Sequence, residues 1–128
     1  MSEENVEAVR KGLSAYARGD IDGFLESLDP DVVWDPAEEP PMTGREAVRA
    51  YLQRWESAWD KVEAKAEEIV DAGDRVLVTV RFKGRGRGSG IEVSARSHQV
   101  STLRNGKTVR WEEFGERVSA LEAAGLAG

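Results

Sequence analysis

The sequence contains no cysteine and only one histidine. The absence of cysteine excludes a thiol nucleophile, a zinc–thiolate site, an iron–sulfur cluster and a disulfide framework. One histidine cannot build a histidine-based metal cluster, and we predict neither a metal site nor a cofactor. No apolar run approaches the ~20 residues that cross a bilayer, and the N-terminus is acidic and amphipathic, unlike a signal peptide. These absences predict a cytoplasmic protein with no membrane partner.

Positive charge is scarce in the first part of the chain. The net charge is −6; residues 1–74 carry 19 acids against 8 bases, whereas residues 75–128 carry 5 acids against 10 bases. The overall acidity argues against a general nucleic-acid binder. A length of 128 residues suits one compact domain, 1–128, whose core needs no metal or disulfide to be stable.

Helix signals dominate the first half. Ser2 can cap a first helix that Gly19 stops, and Asp20 can cap a short second helix. Thr43 and Glu46 have the spacing of a capping box that opens a third helix. The third helix has the strongest helical pattern in the chain, with an apolar stripe that consists of Val48, Tyr51, Leu52, Trp55 and Trp59.

Strand signals dominate the second half. Asn105-Gly106 is typical of a tight hairpin turn, and Ser119 is a candidate cap for a last short helix that Gly125 ends. We therefore predict an α+β fold in which three N-terminal helices pack on a curved, mainly antiparallel sheet and leave a concave pocket. The predicted strands begin near Val62 and cover 76–82, 91–103 and 108–118.

The long strand over 91–103 gives the first indication of that pocket. Its odd positions are apolar at both ends and small and polar in the middle, where Ser97, Gln99 and Ser101 lie. A closed core would have large apolar groups there, so we interpret this face as the lining of a cavity. A mid-strand bulge or a solvated stretch explains the pattern equally well. The same alternation points His98 away from the pocket.

Two carboxylates are candidates for acid–base chemistry. On the last strand, an inward Phe114 would bring Glu116 inward, where an apolar pocket would raise its pKa; the alternative is a solvated, charged sheet face. Asp35 lies between Trp34 and Pro36 and would be at the rim of the same pocket as a base, although the local sequence alone favours a plain Asp-Pro turn. The assignment of Phe114 to the inner face leaves the outer face of this strand to Trp111, Glu113 and Arg117.

Aromatic and glycine-rich segments are open to two interpretations each. Tyr51, Trp55 and Trp59 could stack on a flat ligand, although an aromatic stripe at helical spacing is more often simple core. The glycine-rich run 84–90 has the composition of a phosphate-binding loop, but it joins two strands rather than a strand and a helix. We interpret it as a mobile hairpin loop.

Five short segments carry a resemblance that covers nearly the whole chain. They are Tyr16-Ala-Arg-Gly-Asp20, Leu28-Asp-Pro-Asp-Val-Val-Trp-Asp-Pro36, Thr43-Gly-Arg-Glu-Ala-Val48, Asp71-Ala-Gly-Asp-Arg75 and Leu103-Arg-Asn-Gly-Lys107. In order and spacing they resemble the NTF2-like superfamily, and within it the SnoaL-like polyketide cyclases and ketosteroid isomerases. The resemblance implies a cone-shaped roll and a homodimer, and we expect the dimer interface on the outer face of the sheet. It also implies Asp35 as the general base, because steroid isomerases use an Asp directly before a Pro.

The first functional hypothesis is a protein that binds a small hydrophobic molecule and isomerises, cyclises or dehydrates it by proton transfer next to a carbonyl. Such an enzyme would be a cofactor-independent isomerase or lyase, with Asp35 as base and Glu116 as a second acid. The alternative is a non-catalytic module that binds a ligand or mediates dimerisation. The residues expected to bind the substrate are Tyr16, Trp34, Tyr51, Trp55, Trp59, Ser97, Gln99, Ser101 and Phe114.

Overall fold

A computed structural model describes residues 2–126, except for the side chain of Ser2. The predicted cap formed by that side chain therefore lies outside the described residues. No helix within residues 2–126 is long and apolar enough to cross a membrane. The elements of this part are α1 (Ser2–Ala17), α2 (Ile21–Glu26), β1 (Leu28–Asp35), β2 (Met42–Thr43), α3 (Arg45–Ser57), β3 (Trp59–Ala72), β4 (Arg75–Gly86), β5 (Glu92–Arg104), β6 (Lys107–Phe114) and α4 (Arg117–Ala123).

The strands form one open sheet in the order β2-β1-β6-β5-β4-β3. β1 and β6 run parallel, whereas the other neighbouring strands are antiparallel. A register shift between Ala66 and Glu68 interrupts the long pairing of β3 with β4, and such a bulge bends a strand. The predicted α+β class and the mainly antiparallel sheet are confirmed.

Helices cover both faces of the sheet, but unequally. We call the face under α1, α2 and α3 the inner face; there, Val9 of α1 packs on Val76, Val78 and Val80 of β4. The opposite, outer face is covered in part by α4, where Ala120 joins the buried residues Leu77 and Val100. A third cluster closes the β1–β6 side of the inner face and consists of Phe24, Leu25, Leu28, Val32, Trp34, Val48, Leu52 and Trp111.

The structure tests the helix starts predicted at Asp20 and Thr43. The Asp20 cap is confirmed, because the Gly23 backbone N–H donates to Asp20 Oδ1 at 2.9 Å. The capping box predicted at Thr43 is wrong. Thr43 belongs to β2 and pairs with Val33, and Gly44 takes the N-cap position with a φ of 94°, a left-handed conformation that favours glycine.

The last strand, turn and helix follow the predicted order with two shifted boundaries: β6 ends at Phe114 rather than at 118, and α4 starts earlier than predicted. Asn105 and Gly106 have φ angles of 53° and 74°, as the predicted tight hairpin requires. The cap predicted at Ser119 is wrong, because α4 starts earlier and Glu116 takes its N-cap position. Gly125 ends this helix with a φ of 76°, as predicted.

Trp59 and the glycine-rich run also differ from their predicted settings. α3 ends at Ser57, so Trp59 is the first residue of β3 rather than the last of the helical stripe. β4 extends to Gly86, so part of the run predicted to be a mobile loop is paired strand. The turn itself is held against the end of α3, because the Arg87 backbone N–H donates to the Ala58 carbonyl at 2.9 Å.

Candidate functional site

A cavity of about 740 Å³ lies between the inner face and helices α1, α2 and α3. The hollow expected from the polar middle of β5 is therefore present. Every aromatic side chain of the sequence borders it. These nine residues are Tyr16, Phe24, Trp34, Tyr51, Trp55, Trp59, Phe82, Trp111 and Phe114.

The aromatic rings form two groups that lie towards opposite edges of the sheet. On the β1–β6 side, Trp34 stacks on Trp111 with ring centroids 5.0 Å apart and planes 5° apart, and Phe24 meets Trp34 edge-on at 6.0 Å. On the β3–β4 side, Trp55 lies 5.2 Å from Phe82 and 6.0 Å from Trp59. The cavity thus has aromatic walls at both ends.

A short polar strip crosses the inner face between these walls. Gln99 of β5 pairs with Glu113 of β6, and Ser97 pairs with Val80 of β4. Because directly paired residues of neighbouring strands point to the same face, Ser97, Gln99 and Glu113 all project towards the cavity that they line. Gln99 is only 6% exposed, and its Nε2 is 3.5 Å from Ser97 Oγ.

Glu113 is the carboxyl group of this strip. Burial, the main cause, raises its pKa from the usual 4.5 to about 7, and the nearby carboxylates of Glu38 and Asp35 add to the rise. The indole N–H of Trp34 points to the Glu113 carboxylate and opposes the rise in its pKa. The contact is a poor one, because Trp34 Nε1 and Glu113 Oε2 are both buried without a hydrogen bond of standard geometry. An acid whose pKa lies near neutrality can both accept and return a proton at neutral pH.

Two phenols complete the cavity wall opposite the sheet. The Tyr16 hydroxyl donates to Glu56 Oε1 at 2.9 Å, and burial together with Glu56 raises the pKa of Tyr16 above its usual range. Burial and the charge of Glu113 likewise raise the pKa of Tyr51. Both hydroxyls therefore stay protonated at neutral pH and remain hydrogen-bond donors.

Comparison with known proteins assigns this fold. The model of the SnoaL-like domain family matches residues 9–111, which is most of the chain. The chain belongs to the SnoaL-like family. No protein of curated function matches the sequence.

Solved structures show that this SnoaL-like chain has the NTF2-like fold. TerC, co-crystallised with polyporic acid, is similar with a TM-score of 0.79 and 22% identity, over 95% of this chain and 98% of TerC. A candidate polyketide cyclase from Xanthomonas campestris has a TM-score of 0.76 and 22% identity, over 96% and 98%. An NTF2-like protein from Burkholderia xenovorans has a TM-score of 0.75 and 27% identity, over 97% and 98%.

In this SnoaL-like domain, Asp35 does not lie where the sequence predicts. It is not among the residues that line the cavity, whereas Trp34 and Pro36 on either side of it are. Side chains alternate along β1, so the inward Trp34 directs Asp35 to the outer face. There, Asp35 Oδ2 is 3.6 Å from Arg110 Nη2, and Oδ1 accepts a hydrogen bond from the Ala37 N–H at 3.3 Å.

Glu116 was also expected in the pocket, and that placement is wrong. β6 ends at Phe114, and Glu116 lies beyond it as an exposed residue at the N-cap of α4. Phe114 lies at the strand end opposite His98 and packs with the outer cluster while also bordering the cavity. The inward anchor of β6 is Trp111, which is 3% exposed.

A β-bulge explains why the faces of β6 are opposite to those predicted. The turn pairs Leu103 with Thr108, but the next pair is Thr102 with Arg110, so Val109 is an extra residue on β6. One extra residue moves every later side chain of a strand to the other face. Glu113 therefore faces the cavity, whereas the expectation that Phe114 faces inward places Glu113 on the outer face.

The remaining predicted residues have three different locations. Ser101 faces inward but is fully buried, and its hydroxyl is 2.7 Å from Thr108 Oγ1, so its expected place in the cavity lining is wrong. His98 lies on the outer face as predicted, with Nδ1 2.9 Å from Thr79 Oγ1. No cluster of metal-ligating side chains occurs among residues 2–126. Eight predicted residues do border the cavity: Tyr16, Trp34, Tyr51, Trp55, Trp59, Ser97, Gln99 and Phe114.

Proposed function

We propose that this SnoaL-like protein binds a flat, largely apolar small molecule that carries a carbonyl group and transfers a proton next to that carbonyl. Glu113 is the general acid–base in this proposal. The observation that carries it is one carboxyl group with a pKa of about 7 inside a cavity bordered by every aromatic residue of the chain. General acid–base catalysis is most efficient when the pKa lies near the working pH.

The proposed reaction needs only groups that the cavity contains. Ionised Glu113 accepts a proton from the carbon next to the carbonyl, and the electron pair moves to the carbonyl oxygen to give an enolate. The Gln99 amide is the donor available to stabilise that oxygen, because the Tyr16 hydroxyl already donates its one proton to Glu56. The protonated carboxyl of Glu113 then returns the proton to another carbon, which completes an isomerisation, or to a leaving oxygen, which completes a dehydration.

The neighbours of this fold support a flat, oxygenated ligand. TerC was co-crystallised with polyporic acid, and one similar chain is a candidate polyketide cyclase. The aromatic walls at both ends of the cavity would stack on the faces of such a molecule. The sequence analysis favours Asp35 as the general base. We assign that role to Glu113 instead, because Asp35 pairs with Arg110 outside the cavity.

Ligand binding and proton transfer can be tested separately. All four Trp residues border the cavity, so quenching of intrinsic fluorescence reports binding of planar enones and hydroxyquinones, with polyporic acid as one probe. Proton transfer is measured as exchange of carbon-bound hydrogen of the bound ketone in D₂O. Glu113→Gln should slow this exchange by roughly 10²–10⁴-fold without abolishing binding.

Two variants make the exchange experiment specific. Glu112→Gln changes the same residue type on the same strand, but its side chain lies on the outer face beside Arg110, and exchange should continue at the parent rate. Asp35→Asn tests the base expected from the family resemblance. Unchanged exchange in Glu113→Gln together with a loss in Asp35→Asn would refute the role of Glu113.

The alternative function is ligand binding without catalysis. The feature that favours it is the residue opposite Glu113: Gln99, an amide, which is a weaker proton donor than a second carboxylic acid. Saturable binding with no exchange above the background would support this alternative.

We also retain the proposal that the chain forms a homodimer through the outer sheet face. Light scattering coupled to size-exclusion chromatography measures the mass of the particle in solution and so tests this proposal.

A further inference from the structure

We infer that the glycine-rich β4–β5 hairpin holds Trp59 as the far wall of the cavity and that Trp59 thereby determines the length of the ligand. The inference rests on the proposed function in one respect, namely that the cavity binds a small molecule. It gives a role to the glycine-rich run 84–90, which does not take part in the proposed chemistry. Trp59 is the specificity-determining residue, and Gly84 and Arg87 are positioning residues.

The indole of Trp59 lies directly on the backbone of the hairpin. A Cβ atom placed on Gly84 would be only 2.6 Å from Trp59 Cε3 and 2.9 Å from Trp59 Cζ3, closer than real Cβ contacts. Gly84 pairs with Val62, and both border the cavity. The absence of a side chain at Gly84 is therefore what allows the Trp59 ring to lie flat against the sheet.

Arg87 fixes the other side of Trp59, its backbone. Arg87 Nη2 donates to the Trp59 carbonyl at 3.1 Å, and Arg87 Nε donates to the Ser57 carbonyl at 2.9 Å. The Arg87 backbone N–H donates to the Ala58 carbonyl at 2.9 Å, and Nη1 is 3.7 Å from Asp60 Oδ1. One arginine thus contacts four consecutive residues at the junction of α3 and β3.

The position of Trp59 in the sheet makes it a length gauge. Glu113 lies on β6 and Trp59 on β3, with β5 and β4 between them. Three strand spacings correspond to roughly 14 Å across the sheet, and Trp59 also lies further along the strands, since it pairs with Gly86 whereas Gln99, the partner of Glu113, pairs with Val78. Trp59 is therefore at the end of the cavity remote from Glu113, and its ring limits the length of a ligand whose reacting carbon lies at Glu113.

The test compares two neutral probes of different length, 2-naphthol with two rings and estradiol with four, by quenching of Trp fluorescence. The measured quantity is the ratio of their Kd values. Trp59→Ala should shift this ratio by roughly tenfold towards the four-ring probe. Gly84→Ala pushes the ring off the sheet into the cavity and should shift the ratio towards the two-ring probe.

Arg87 has a matched control on the same hairpin. Arg87→Ala should shift the ratio in the same direction as Trp59→Ala, and Arg87→Lys, which keeps the charge but loses the fork of donors, should shift it less. Arg85→Ala removes an arginine whose carboxylate partner is Glu92 at 3.7 Å and should keep the parent ratio. A purely structural role of Arg87 would weaken both probes equally, and an unchanged ratio in Trp59→Ala would overturn the inference.

Crystal structures of the Arg87→Ala and Arg85→Ala variants make the inference independent of any ligand. The Trp59 ring should be displaced in the first variant and unmoved in the second. An unmoved ring in Arg87→Ala refutes the positioning role even where both probes bind. If neither probe binds the parent protein, the proposed binding function fails for these ligands, and the displacement of the ring still decides whether the hairpin positions Trp59.

Discussion

Glu112 and Glu113 are adjacent on β6, yet they occupy opposite faces of the sheet and have different surroundings. Glu112 lies opposite Val100 on the outer face, and its carboxylate is 3.5 Å from Arg110 Nε. Glu113 lies opposite Gln99 on the inner face, where burial raises its pKa to about 7 and Oε2 has no hydrogen-bond partner. The face of the sheet, rather than the residue type, makes one of them an ion-pair partner and the other a candidate acid–base.

The difference between the two glutamates depends on one residue, Val109. The bulge at Val109 directs Trp111 and Glu113 inward and Arg110 and Glu112 outward. A buried carboxyl oxygen without a hydrogen bond of standard geometry departs from the usual rule that buried polar groups are paired, and such exceptions are typical of functional sites. Changes that exchange the two faces, or that remove one of the two carboxylates, therefore test the comparison directly.

Deletion of Val109 should have the largest effect. Without the extra residue, Trp111 would turn to the outer face and Arg110 would turn into the inner cluster. Loss of a buried Trp alone destabilises a protein by about 3–5 kcal/mol, and an unpaired buried arginine adds to that loss. Urea unfolding followed by circular dichroism measures the change. Val109→Ala keeps the residue count and is the control; parent-like stability of the deletion variant would show that the bulge does not determine the faces.

The pH dependence of stability should separate Glu113 from Glu112. Because the pKa of Glu113 is about 7 in the folded chain and the usual value is 4.5, the folded state binds more protons between these two pH values. The protonated Glu113 therefore contributes its full stabilisation of the folded state below about pH 4.5. This contribution is lost as the pH rises through 7, and the free energy of unfolding falls by about 3 kcal/mol in all. Glu113→Gln should lack this loss and should be more stable than the parent above pH 7.

Urea unfolding at pH 5 and pH 8 measures this difference in the free energy of unfolding. Glu112→Gln is the control and should keep the parent dependence, because Glu113 is intact in it. A parent-like decrease between pH 5 and pH 8 in Glu113→Gln would assign the decrease to other groups. The result would also weaken the argument that Glu113 is poised for proton transfer at neutral pH.

The sequence predicted the fold because its local signals agree with one another. Val76, Val78 and Val80 alternate cleanly with polar and outer residues, and Asn105-Gly106 specifies a tight hairpin, so strands and turns were found near their true positions. β5 has 13 residues and pairs with β4 without a bulge, so alternation along it assigns the correct faces to the residues around Gln99. Where the pairing is regular, a period of two is sufficient to assign a face.

The site was predicted less well for two physical reasons. The expectation that Phe114 faces inward places Glu113 on the wrong face, and the bulge at Val109, which determines the true faces, has no distinctive sequence signal. Trp111, a large apolar side chain, is the local hint that its own alternation set points inward. For Asp35 the local hint was also present, since Trp34 next to it had to be buried. A resemblance in motif then favoured a rim position that the alternation of β1 excludes.

The smallest expected effect compares two valines on opposite faces. Val100 packs in the filled cluster under α4 and is 0% exposed, whereas Val80 borders the cavity on the inner face. Removal of two methyl groups from a filled site loses their transfer free energy and leaves a new void, so Val100→Ala should destabilise the fold by about 2 kcal/mol. Val80 is also buried, but Val80→Ala enlarges an existing hollow and should cost less, about 1 kcal/mol. Urea unfolding of both variants measures the difference, and equal losses would mean that the inner face is as tightly filled as the outer one.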